Sequence, residues 1–220
     1  MPRSIRAAAL AVLLFTLSVT SAFASGLYSY LHGGATSSTL TGDLNGDPKS
    51  RLGIHAGLGV QFLVTDHFGV DTEVNYVQRG LKRKDDANTQ GIGADAMTYA
   101  LNYWQWNGML HAGLPSIAGV RPSLLLGGGI DFKTAERLKI EGGPQAGTTN
   151  PKTMDTLDLT SLLGVSAELG EGGHWFADVR YEGSLLSIAD PLEFIGTDTP
   201  NIRNRTLQVG VGYKWRVRDE

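Results

Sequence analysis

The chain has 220 residues, with 19 Lys and Arg against 22 Asp and Glu, and it contains 29 Gly but no Cys. The formal charge of −3 gives no basic footprint for nucleic acid, and the lack of Cys excludes a disulfide framework. The glycines are dispersed without a collagen-like period.

Residues 1–24 are predicted to be a signal peptide that is removed. Arg3 and Arg6 form a positive start, the apolar segment Ala7–Val19 follows, and Ala22-Phe23-Ala24 fits a small-x-small cleavage signal. The apolar run is shorter than the ~20 residues of a membrane-spanning helix. The remaining residues, 25–220, are predicted to form one domain with 17 Lys and Arg against 22 Asp and Glu, exported to a bacterial envelope.

The stretch Leu52–Gly80 has the pattern of a complete β-hairpin. In Ile54–Val64 every even position is apolar, whereas nearly all odd positions are small or polar. The alternation resumes in Phe68–Tyr76 after a short break at Thr65-Asp66-His67. Because strand side chains alternate between faces, one face of this hairpin is hydrocarbon and the other is small or polar.

Similar alternation recurs along the chain and predicts eight strands of about ten residues. The other predicted strands are Leu27–Leu31, whose facing the pattern does not define, Met97–Leu114, Val120–Lys133, Leu157–Leu169, Trp175–Leu185 and Leu207–Val217. Long polar loops are predicted at Ala35–Arg51, Leu81–Ala96, Thr134–Asp155 and Ser187–Asn204. Even strand number and alternating long and short connections are typical of a bacterial outer-membrane barrel. The predicted fold is therefore all-β, an eight-stranded antiparallel up-and-down transmembrane β-barrel.

A secreted soluble barrel, such as a lipocalin-like carrier of a hydrophobic ligand, is the main alternative, with the apolar face inside. Two features favour the membrane barrel. Glycines lie on the polar faces, where they relieve crowding inside a narrow barrel, as at Gly57, Gly59, Gly210 and Gly212. Aromatic residues lie towards the ends of the apolar faces, where an aromatic girdle would meet the lipid interface.

Many charged residues fall on the faces predicted to point inward. An eight-stranded barrel is only wide enough for its side chains to fill, and buried charges persist only when paired. We therefore expect a structural polar network in the lumen, centred on Glu73 and Arg180. The residues assigned to it are Glu73, Arg79, Arg121, Asp131, Asp178 and Arg180. A narrow passive pore is the alternative function for the same residues.

Three segments resemble the PorT-like outer-membrane β-barrel domain family, among small barrels of the OmpX and OmpA type. The hairpin segment His55-Ala56-Gly57-Leu58 with Glu73–Gly80 is similar to the family's hairpin motif. Arg180-Tyr181 with Leu185 and the closing segment Asn204–Trp215 resemble two further strands. The resemblance covers essentially all of residues 25–220 and implies the fold and an outer-membrane location; its members mostly have no assigned activity.

No catalytic residues and no cofactor are predicted. A lipid A-modifying barrel enzyme remains an alternative, but His55, His111 and His174 have no neighbouring Ser in an obvious arrangement. Asp43, Asn45 and Asp47 have the alternating oxygens of a weak Ca²⁺ site, although an ordinary turn explains them as well. The expected partners are outer-membrane lipids, lipopolysaccharide, the barrel-assembly machinery and an unidentified extracellular protein, with no nucleic acid.

Overall fold

The computed structural model describes residues 26–43, 48–84, 93–151, 153–170, 174–189 and 201–217. These residues form nine strands and their connections. The strands are β1 (Gly26–Gly42), β2 (Lys49–Leu63), β3 (Phe68–Lys84), β4 (Ala96–Gly113), β5 (Val120–Glu141), β6 (Gly147–Thr149), β7 (Leu157–Leu169), β8 (Trp175–Ser184) and β9 (Ile202–Arg216). A search of the described residues finds no helix with the length and apolarity to cross a membrane.

Eight of the nine strands form a closed antiparallel ring. Each strand pairs with the next, in the order β1, β2, β3, β4, β5, β7, β8, β9, and β9 pairs back onto β1. The short strand β6 forms a hairpin on the far end of β5. The ring has a turn end, where residues 64–67, 114–119 and 170–174 connect the strands, and a loop end with the remaining connections.

The two faces of the ring are as predicted. Outward apolar side chains stay exposed, such as Leu58 at 66%, Leu163 at 60% and Val211 at 63%. Inward charged side chains are enclosed, and Arg79 and Asp131 are each 0% exposed. A soluble protein would place these faces the other way round, because apolar burial drives folding in water.

Seven of the eight ring strands are longer than the predicted ten residues, and this corrects all four predicted loops. β3 runs to Lys84 within the predicted loop Leu81–Ala96, and β9 begins at Ile202 within the predicted loop Ser187–Asn204. About half of the predicted loop Ala35–Arg51 belongs to β1. Thr36 and Ser38 face inward there and donate hydrogen bonds to the backbone of β3. Thr36 Oγ1 donates to the carbonyl of Gln78 at 2.7 Å, and Ser38 Oγ donates to that of Gly80 at 3.2 Å. Ser and Thr therefore continue the strand here, since their hydroxyls find backbone acceptors across the ring.

The predicted loop Thr134–Asp155 contains the end of β5 and all of β6. A β-bulge lies at Thr134, because Tyr103 pairs with Lys133 while the preceding Asn102 pairs with Ala135. An extra residue moves the following side chains to opposite faces, so Glu136 is buried inside the loop end of the ring.

Glycines make room for large inward side chains. A Cβ at Gly59 would overlap the ring of Tyr30, and a Cβ at Gly212 would overlap the ring of Phe176. These two rings contact each other edge to face, with centroids 5.7 Å apart. β1 thus faces inward through Tyr30, which the sequence pattern left undefined.

We expect Gly59→Ala to lower the free energy of unfolding by about 1–3 kcal/mol, because the added methyl must displace Tyr30. The control is Gly108→Ala, since a Cβ at Gly108 meets nothing within 4 Å. Urea unfolding in lipid vesicles, followed by the heat-modifiable gel band, measures both. Equal urea midpoints for the two variants would contradict this role of Gly59.

Candidate functional site

The middle of the lumen holds an ion pair between Glu73 of β3 and Arg180 of β8. Arg180 Nη1 donates to Glu73 Oε1 at 2.6 Å, and Arg180 Nε lies 3.2 Å from Asp178 Oδ1. Glu73 also accepts hydrogen bonds from Tyr30 Oη at 3.0 Å and Asn107 Nδ2 at 2.9 Å. Both members of the pair are buried, so these bonds replace the water that the charges have lost.

A second charged layer lies nearer the loop end and is centred on Arg79 of β3. Its guanidinium donates to Asp131 and, at 2.5 Å, to Glu182, while Asp158 lies 3.9 Å away. The guanidinium also stands over the ring of Tyr103, 5.3 Å from its centroid. One buried cation therefore serves carboxylates from three different strands, β5, β7 and β8.

A third polar layer lies towards the turn end. Lys214 pairs with Glu168, and its Nζ also donates to Gln61 Oε1 at 3.4 Å. Gln61 Nε2 lies 3.1 Å from His111 Nδ1, and His111 Nδ1 lies 3.4 Å from Asp71 Oδ2. The cavity between these side chains measures about 30 Å³, which is space for about two water molecules.

The loop end of the lumen contains an apolar cluster beside the buried Arg83 and Glu136, and the sequence pattern did not predict this cluster. Side chains from the strands and from two connections form one buried cluster there. Its members are Leu40, Leu81, Leu101, Tyr103, Met154, Ile188, Ala189 and Ile202. We call these residues the apolar cap. Met154 and Ala189 pair as an isolated β-bridge, so two connections meet over the lumen.

Glu136 holds one of these connections in place. Its carboxylate accepts hydrogen bonds from the Thr153 backbone N–H at 3.1 Å and from Thr153 Oγ1 at 2.8 Å. It also accepts from Tyr99 and pairs with Lys133, which in turn donates to the carbonyl of Met154. Because Glu136 sits just beyond the bulge, the bulge determines where Met154 enters the cap.

The structure brings together five of the six residues assigned to the polar network. Glu73, Asp178 and Arg180 form the middle layer, and Arg79 and Asp131 belong to the second. Arg121 does not join them; it is exposed because β5 begins only one residue before it, so its side chain lies at the open turn end.

Two other sets of residues complete this comparison. Of the weak Ca²⁺ candidates, Asn45 and Asp47 lie outside the described residues, and Asp43 Oδ2 accepts a hydrogen bond from the Asn201 backbone at 2.8 Å. The sequence reading missed Tyr30 and His32 because it left the facing of β1 undefined. The pairing of β1 with β2 and β9 fixes that facing.

A family comparison identifies this ring of strands. The model of the outer membrane protein beta-barrel domain matches residues 7–214. The chain belongs to this family. It is accordingly an integral β-barrel protein of the bacterial outer membrane, whose exposed apolar wall faces lipid.

The barrel also has similar solved structures at low sequence identity. Ail, the attachment invasion locus protein of Yersinia pestis, is 16% identical over 86% of this chain and 99% of its own, with a TM-score of 0.43. Neisserial surface protein A is 14% identical over 88% and 100%, with a TM-score of 0.47. OprG of Pseudomonas aeruginosa is 11% identical over 88% and 97%, with a TM-score of 0.45. No curated protein matches the chain.

The family assignment removes the soluble-carrier alternative. A lipocalin-like barrel would line its lumen with the apolar faces, whereas here those faces form the outer wall and charged side chains point into the lumen. The apolar lining that such a carrier needs therefore lies on the outside of this ring.

Arg79→Ala should destabilise the barrel by about 3–5 kcal/mol, because it leaves Asp131 and Glu182 buried without their cation. The matched control is Arg121→Ala, whose exposed side chain should change stability by no more than about 0.5 kcal/mol. Unfolding midpoints in urea, measured in the same vesicles, compare the two. A small effect of Arg79→Ala would show that the buried layer is not needed for stability.

Proposed function

We propose that this barrel acts through its loop-end surface and its outer wall, and that its lumen is a structural plug rather than a passage. The observation that carries this proposal is the Glu73–Arg180 ion pair. β3 and β8 lie four positions apart in a ring of eight, so the pair joins opposite walls of the barrel.

The other layers support the same proposal. Arg79 on β3 reaches Glu182 on β8 across the same diameter, and Lys214 on β9 reaches Glu168 two strands away on β7. Side chains that meet across the lumen occupy the space through which a solute would pass. The apolar cap then closes the loop end with a layer that contributes no hydration to a moving ion.

The biological role follows from what remains exposed. The connections at the loop end are the extracellular ones in a barrel of this type, and the turn end faces the periplasm. We propose a structural or surface-interaction role without catalysis. The expected contacts are lipopolysaccharide and an extracellular protein, with the assembly machinery inserting the barrel.

Two finer assignments belong to the same proposal. Within the family we place the chain with the PorT-like group, on the hairpin motif at His55–Leu58 and the closing segment Asn204–Trp215. We also propose that residues 1–24 direct export and are removed, leaving residues 25–220 as the barrel domain. The first residue of the protein purified from outer membranes should then be Ser25, as N-terminal sequencing would show.

The plug proposal predicts that the wild-type barrel gives no stepwise conductance in planar lipid bilayers. Glu73→Ala should lower the unfolding midpoint in urea, because Arg180 loses its main counter-charge and Asn107 and Tyr30 lose their acceptor.

Two results would overturn the plug. One is steady porin-like conductance of the wild-type protein. The other is a large rise in conductance for Glu73→Ala at unchanged stability, since this would make Glu73 a gate in a narrow pore. The Arg121→Ala variant serves as the control for both measurements, because its side chain lies outside the charged layers.

A further inference from the structure

The wall of the barrel has a gap in its strand pairing just beyond the apolar band. On one side of β5, pairing with β7 ends at Phe132, which pairs with Leu157, and pairing with β6 begins at Leu138, which pairs with Thr149. Between these points the Lys133 N–H still donates to the Thr156 carbonyl at 2.8 Å, and residues 134–137 have no strand partner on this edge among the described residues. Asn150 and Pro151 lead the chain away from the sheet here, and Pro lacks the N–H that a ladder needs.

A cleft of about 540 Å³ occupies this gap. It is within the size range of small-ligand sites, and its lining is both polar and apolar. The lining residues are Lys133–Arg137, Asn150, Pro151, Met154 and Thr156.

Among the described residues that line the cleft, Arg137 is the cation with no acidic partner. Lys133 is engaged by Glu136 and by the Met154 carbonyl, and Glu136 is saturated by Lys133, Tyr99 and Thr153. Arg137 is exposed, and no carboxylate in the described part of the chain pairs with it. A guanidinium with free N–H groups matches the oxygens of a phosphate.

Further positive charge lies on one side of Arg137, along β5 and on β3. Lys139 lies two residues further along β5, and Lys82 of β3 and Lys139 both pair with Thr98 of β4. Lys139 is itself paired with Glu141 at 2.6 Å, but that pair is more than half exposed and lies farther from the membrane than Arg137. The local excess is therefore positive and centred on Arg137 and Lys82.

The position of the cleft indicates where its ligand comes from. Phe132 of β5 and Leu157 of β7 pair directly below it. From Phe132 an aromatic row continues along the barrel wall away from the cleft, through Trp104 of β4 to Tyr76 of β3, and these two rings contact each other edge to face. Aromatic residues of this kind mark the interface between hydrocarbon and headgroups. Phe132 and Leu157 below the cleft are exposed to lipid, so acyl chains can lie against them while a headgroup enters the cleft.

We propose that this cleft binds the phosphorylated saccharide headgroup of a glycolipid in the outer leaflet. Arg137 binds the phosphate, and Asn150, Thr134 and Thr156 line the cleft with groups that can bond to sugar hydroxyls. Lys82, two strands away on β3, adds to the positive field. A bare phosphate would leave most of the volume empty, and a soluble sugar phosphate would not use the apolar wall. The inference rests on the proposed function, which places this surface in the outer leaflet.

The test uses the whole barrel domain in zwitterionic detergent micelles, with diphosphoryl lipid A titrated into the micelles as the probe. Thermal unfolding, followed by the heat-modifiable gel band, reports binding. We expect the melting temperature of the wild type to rise with the mole fraction of lipid A. Arg137→Ala should raise the half-saturating fraction about tenfold, the loss expected for one charge-assisted hydrogen bond.

Three comparisons make the result decisive. Arg205→Ala removes an exposed arginine of β9, three ring positions from β5, and should leave the half-saturating fraction unchanged. Arg137→Lys keeps the charge and should fall between the wild type and Arg137→Ala. Dephosphorylated lipid A should give little stabilisation, and soluble glucosamine 6-phosphate at millimolar concentration should not compete.

The proposal is overturned if dephosphorylated lipid A stabilises the barrel equally, or if Arg137→Ala titrates like the wild type. It is also overturned if Arg205→Ala weakens binding as much as Arg137→Ala, because the effect would then be one of net charge. Competition by the soluble sugar phosphate would assign the cleft to a soluble ligand and contradict the lipid source. None of these outcomes changes the bilayer conductance. The lipid A titration can therefore refute the glycolipid site while the proposal that the lumen is closed stands, and the conductance measurement can do the reverse.

Discussion

Charge pairing across the lumen is the constraint on which the rest of this barrel depends. Two arginines of opposite walls are held by carboxylates: Arg79 on β3 by Asp131 of β5 and Glu182 of β8, and Arg180 on β8 by Glu73 of β3 and by Asp178 of its own strand. A buried charge without its partner is strongly destabilising, so these layers favour the one strand register that satisfies all of them. The same contacts cross the lumen between opposite walls.

The outer wall and the loop end are the surfaces that remain exposed. Seen from the membrane, the barrel offers a lipid-facing band that ends in the row of Tyr76, Trp104 and Phe132. Beyond that row the bulge at Thr134 reverses the faces of β5. Glu136 consequently turns inward to hold the cap, while Arg137 turns outward beside the cleft. One inserted residue thus separates an inward side chain that holds the cap from an outward side chain that borders the cleft.

Much of this architecture could be predicted from local pattern, and the errors have identifiable causes. The alternation in Ile54–Val64 and Phe68–Tyr76 gave the correct inward face, because a period of two is a property of any strand. The segment Ala35–Gly42 was predicted as loop because its Ser and Thr residues are typical of turns. Inside the ring their hydroxyls bond to the backbone of β3, and this partner is distant in sequence.

The sequence alone therefore determined the eight strands, their facing after β1, and a charged interior that must be internally paired, since all three follow from periodicity and the cost of burying charge. Which charges pair, apart from Glu73 and Arg180, was decided only by the closed ring, because partners such as Arg79 and Glu182 are 103 residues apart and meet across its diameter. The ring also excluded Arg121 from the network by placing it at an open end. The apolar cap and the cleft beside Arg137 likewise depend on the bulge and on connections folding back, which no local pattern encodes.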